Sequence, residues 1–164
     1  MIQRVMVIVL GWLVIASVFA ADQLTIDIAK TVIKKRIAEN VSFDEAIDSM
    51  KLRANSLNVK LVAHQPLSEE YQALGLPNIK RTEIFQFCDA KIAKEMIEYD
   101  MSYAAYMPCR IILVEEKPGK GWLVMMNLDI LIGSAQLPPH LHQLATQMRD
   151  NLISIIEAGA NGDL

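Results

Sequence analysis

"CRIILVEEKPGKGWLVMMNLDILI", residues 109–132, is the stretch whose reading decides the fold. Two apolar runs, "CRIILVEE" and "GWLVMMNLDILI", meet at "KPGKG", a strong turn signal. Their Val, Ile, Leu and Trp content predicts two strands joined as a hairpin. A hairpin sets its strands antiparallel, so the chain is not built from regular strand–helix–strand units.

Upstream, "TEIFQF" (82–87) and "VKLVAH" (59–64) predict further strands, and "TVIKKRI" (31–37) a first strand with imperfect apolar spacing. Between them lie helices. Ser42 with Glu45 three residues later is a capping box. Behind it Phe43, Ala46, Ile47, Met50, Ala54 and Leu57 share one helical stripe. "SEEYQALG" predicts a short helix capped by Ser68 and ended by Gly75. Asp89 caps "AKIAKEMIEY", with Ile92, Met96 and Tyr99 on one side. Pro138 or Pro139 opens a last helix whose stripe is Leu141, Leu144, Met148, Leu152 and Ile155, with Gly159 as its end. The expected fold is α+β: two layers, an antiparallel or mixed sheet of about five strands, and helices mainly on one face.

The bulk numbers suit one such domain over residues 31–163. The chain has 164 residues, 52% hydrophobic and 21% charged, enough to bury a core. Its net charge is -3. The densest basic run, "KTVIKKR", is soon followed by Glu39, Asp44 and Glu45. No concentrated positive surface is predicted, which argues against nucleic acid as a partner.

The start reads as a secretory signal. Arg4 precedes an uncharged run ending in small residues, with Val18 and Ala20 set as the −3 and −1 residues of a cleavage site before Ala21. The alternative is an uncleaved anchor, the chain's only expected membrane contact. The uncharged run to Ala20 would make about 24 Å of helix, short of the ~30 Å of a bilayer core. Either reading places the domain outside the cytoplasm, in the periplasm.

Templates of enzyme chemistry do not emerge. There is no G-x-S-x-G elbow, H-E-x-x-H helix or C-x-x-C pair. His140 and His142 read as solvated helix-start residues, and His64 as a polar strand end. The only two cysteines, Cys88 and Cys109, sit at the inner ends of two predicted strands. Three chemistries stay open for them. In an exported protein a structural disulfide is one, provided the strands run antiparallel and the ends meet. A soft-metal site for copper or haem iron is another, with Cys88, Cys109 and nearby methionines as donors. Met107 faces the same way as Cys109 on an extended chain. A redox-active thiol at Cys88 is the third, aided by the helix start just after it and by Lys91 and Arg110 nearby.

Tyr99, Tyr103 and Tyr106, with Met107, lie on an aromatic connector that reads as a ligand rim or a contact surface between subunits. Arg110 completes that rim. Asn127 and Asp129 form a polar pair on one side of an apolar strand, either tying down a loop or lining a cleft.

Taken together, "ALGLPNIKRTEIFQFCDAKIAKEMI", "YMPCRIILVEE", "GWLVMMNLDILI" and "MRDNLISIIEAGANGDL" resemble a prokaryotic family catalogued as domain of unknown function 302. The resemblance is narrower to an exported subgroup carrying Phe87 to Lys91, Pro108 to Arg110 and Met126 to Asp129. It covers about residues 31–163. Leu128 and Leu131 stand where similar members often have methionine. The resemblance implies a small two-layer α+β domain, often homodimeric, and brings no catalytic residues. The expectation is a non-catalytic binding or assembly module with an unknown protein or small-molecule partner.

Overall fold

A computed structural model describes residues 25–163. The predicted signal segment and its cleavage site lie outside the described residues.

Five strands form one sheet: β1 (Val32–Arg36), β2 (Lys60–Gln65), β3 (Thr82–Cys88), β4 (Cys109–Lys117) and β5 (Lys120–Met126). Their order is β1-β5-β4-β3-β2, and every neighbouring pair is antiparallel. The β4–β5 hairpin is therefore the middle of the sheet. Gly119 supplies a positive φ at its turn, a conformation that costs glycine little.

Among the described residues there are five α-helices: α1 (Phe43–Ser56), α2 (Leu67–Ala73), α3 (Ala90–Tyr99), α4 (Leu128–Ser134) and α5 (Pro139–Asn161). The capping box at the start of α1 is present in both directions. Glu45 N–H donates to Ser42 Oγ and Ser42 N–H to Glu45 Oε2, at 3.2 and 2.8 Å. Alternation along the strands turns Phe85, Phe87, Ile111, Leu113, Leu123 and Met125 to one face, where all are buried. There they meet Met50 and Ala54 of α1 and Leu152, Ile155 and Ile156 of α5. Each such large side chain contributes about 1.5–3 kcal/mol by leaving water.

Three local expectations change, and one element is new. The apolar run after Met126 does not continue as a strand: Leu128–Ser134 is α4, capped by Asn127. Ser68 is not a helix cap. It lies inside α2 behind Pro66, and its hydroxyl donates to the Thr82 carbonyl. The connector after α3 contains a 3-10 helix, Met101–Tyr106. Gly159 does not end α5, which runs on until Gly162 adopts a positive φ. A Cβ at Gly159 would lie 2.5 Å from Met50 Cγ and 2.8 Å from Leu123 Cδ1. That glycine therefore lets α5 press against α1 and β5.

Candidate functional site

β3 and β4 run antiparallel, so Cys88 and Cys109 do lie at one end of the sheet. The register sets the direction in which each thiol points. Cys109 pairs with Phe87, and Cys88, one residue further, pairs with Lys60 on β2. Strand alternation therefore turns Cys109 to the helix-covered face and Cys88 to the open one. Both thiols are free in this structure. The expected disulfide lacks the facing pair of side chains that a bridge requires.

Nor is Cys88 an activated thiol. Burial and the neighbouring Asp89 carboxylate push its pKa up. Asp89 is committed to capping α3, accepting from the N–H groups of Lys91 and Ile92 at 2.9 and 3.2 Å. The helix start that promised a thiolate thus spends its donors on Asp89. Cys109 is raised further, to about 11, by burial first and Cys88 second, against a smaller lowering by Arg110.

Above Cys109, α3, the 3-10 helix, α4 and α5 line a cavity of about 360 Å³ that is open to solvent on one side. That is within the size range of small-molecule sites. Its walls are aliphatic and sulfur-bearing: Ile92 and Met96 from α3, Met107 and Cys109 from the entry to β4, and Ala145 and Met148 from α5. Leu128, Leu131 and Ile132 close the side formed by α4. Asp100, Ser102, Tyr103, Tyr106 and Ser134 are the polar groups. The Asp100 carboxylate accepts from Ser102 N–H at 2.8 Å, which holds its pKa below the usual carboxylate value. Desolvation, then neighbouring Tyr99, raises the pKa of Tyr103.

A second space, about 580 Å³, lies over the open face of the sheet, across the register partners Ile84, Ile112 and Val124 of β3, β4 and β5. Tyr106, Cys109, Leu128 and Leu131 wall both spaces, so α4 and the aromatic connector form the partition between them.

The residues singled out from the sequence divide accordingly. Tyr103, Tyr106, Met107 and Cys109 come together in the first cavity. Arg110 and Asn127 line the second. Tyr99 stands outside, its ring centroid 6.4 Å from that of Tyr103. Asn127 and Asp129 are not a strand pair. Asn127 Oδ1 accepts from Asp129 N–H at the start of α4, and the Asp129 carboxylate pairs with Arg149 of α5. The α4 wall was missed because its residues read as strand. The Asn-x-Asp start, an N-cap with an acid in the first turn, was the available signal.

Two histidines that read as ordinary polar residues are paired instead. His64 Nε2 lies 2.6 Å from the buried Glu83 carboxylate, and its ring stacks on Phe85 at 4.6 Å. His140 pairs with Glu95.

This antiparallel five-stranded sheet with a helical layer defines an α+β domain of the two-layer class. The family described as "Domain of unknown function DUF302" matches residues 33–159, and the chain belongs to that family. The fold is similar to a crystal structure of an uncharacterized conserved DUF302 protein from Bacillus stearothermophilus. That likeness has a TM-score of 0.67 at 16% identity, covering 78% of this chain and 97% of the other. No curated protein matches the chain.

Proposed function

We propose that this domain is a non-catalytic binding module whose cavity takes a small apolar molecule. The observation that carries this reading is the cavity of about 360 Å³, walled by aliphatic and methionine side chains with tyrosines at its polar side. Such a composition binds by removing apolar surface from water and orients its ligand through a few polar groups. The groups within it that resemble reactive ones are in quiet states. The Cys109 thiol is held protonated at neutral pH, and the Asp100 carboxylate is engaged by backbone. The module acts outside the cytoplasm after removal of residues 1–20, and it assembles as a homodimer. These two parts of the reading rest on the sequence and on the family resemblance.

Titration with the apolar dye 1-anilinonaphthalene-8-sulfonate tests the cavity. The native protein is expected to enhance its fluorescence saturably. Leu131→Trp, which fills the cavity from the α4 side, is expected to abolish the enhancement while the circular dichroism spectrum stays native. Unchanged dye binding in a folded Leu131→Trp protein overturns the reading.

A further inference from the structure

The sulfur-bearing residues are unevenly placed. The described residues hold seven methionines and two cysteines. Four of these, Met96, Met107, Cys109 and Met148, line the one cavity. Three of the four, Met107, Cys109 and Met148, also line an adjoining half-open recess, a void of about 30 Å³. A void of that size holds one water or one ion. The three residues come from two separate segments, the extended entry to β4 and the middle of α5. Met107 and Cys109 flank Pro108 across a cis peptide bond, and both border the void. Cys88 borders the void as well, beside Phe87, but strand alternation points its side chain to the other face.

Methionines commonly fill irregular gaps in cores. Here they border a gap that stays unfilled, beside an ionisable thiol. Hard ligands are withheld from the same place. Asp89 borders the void, but its carboxylate caps α3. Asp100 borders the cavity, but its carboxylate caps the 3-10 helix. What remains is a donor set of thiol and thioether. Such soft donors disfavour calcium and magnesium, and a set with more thioethers than thiolates suits Cu(I). The void is ion-sized, so a planar macrocycle such as haem does not fit there.

We propose that Met107, Cys109 and Met148 form a binding site for a single Cu(I) ion, with Met96 as the reserve donor from the cavity side. As the sulfur–copper bond forms, the Cys109 thiol releases its proton to solvent, and the oxidation state of the metal does not change. Binding therefore tightens as pH rises. The site rests on the three sulfur-bearing residues that line one small recess and does not depend on an apolar ligand filling the cavity.

The test is an anaerobic titration of the reduced protein with Cu(I) against bicinchoninate as competing chelator. One ion per chain is expected, with release of one proton in unbuffered solution. Cys109→Ser is expected to lose the ion, and Met148→Leu, which keeps the apolar volume, to weaken it. Cys88→Ser is expected to bind as the native protein does, because the Cys88 side chain faces the other side of the sheet. Leu131→Trp is expected to keep copper while losing the dye, which separates this site from the apolar-ligand reading. The proposal is overturned if the native protein takes no Cu(I), or if Cys109→Ser retains it. Equal loss in Cys88→Ser also overturns it, by pointing to a thiol pair instead.

Discussion

The two ends of the central strands handle polar and soft groups in opposite ways. Where β3 begins, charge is buried and matched. Glu83 is only 8% exposed as a side chain, and it receives Arg81 Nε at 2.5 Å and His64 Nε2 at 2.6 Å. Arg81 also reaches Asp44 at 2.8 Å and lies over the Phe43 ring. Buried polar groups are tolerated there because each has its hydrogen-bond partner. Where β3 ends and β4 begins, charges are few, and sulfurs and tyrosines stand around space that no side chain fills. The conspicuous ionisable cluster is thus scaffold, and the quieter apolar end is the one shaped to receive something. In this fold, charge alone points to the wrong end.

The strongest way to break this contrast is to unpair the charged end. Glu83→Ala leaves Arg81 and His64 without their shared acceptor. Both are partly exposed, which moderates the penalty of a stranded charge. A loss of about 3 kcal/mol is expected, the upper range for a hydrogen bond to a charged group. Urea denaturation measures it. The dye should bind the folded variant as it binds the native protein. Loss of dye binding without loss of stability would mean that the charged end takes part in the site.

A smaller change sharpens the contrast from the other end. Asn127→Ala removes the cap of α4, worth about 1 kcal/mol. α4 makes one wall of the cavity, and its first turn also carries the Asp129–Arg149 pair that ties it to α5. Fraying there should weaken dye binding more than the modest fall in stability suggests. Asn127→Ser, which restores a capping oxygen, should recover both.

How much of this was legible in the residues differs between the same two ends. The hairpin, the capping box at Ser42 and the buried stripe of α5 announce themselves, because turn chemistry and periodicity are local. α4 did not, since a short apolar run such as "LDILI" carries no period that separates helix from strand. Gly159 looked like a helix end because its role is close approach to Met50 and Leu123, a fact of tertiary packing. The Glu83–His64 pair was hidden for a similar reason. It crosses from β3 to β2 past a register shift between Leu61 and Ala63, which no spacing along the chain reveals. The cysteines were found, but the one-residue offset that turns them to opposite faces is a matter of register and had to be seen.

That offset gives the finest of the tests, one with no effect at neutral pH. Cys109 titrates at about 11 in the fold against 9.0 for an ordinary thiol. The folded pKa is the higher one, so the fold prefers the protonated thiol. Its contribution to stability is complete below pH 9.0 and is lost as pH rises toward about 11. Denaturation curves of the native and Cys109→Ser proteins should therefore keep a constant separation up to pH 9.0 and then converge. Cys88→Ser should converge less, because Cys88 is raised by less and stands on the open face. If the two serine variants change equally with pH, the thiols share one environment, and the assignment of Cys109 alone to the cavity fails.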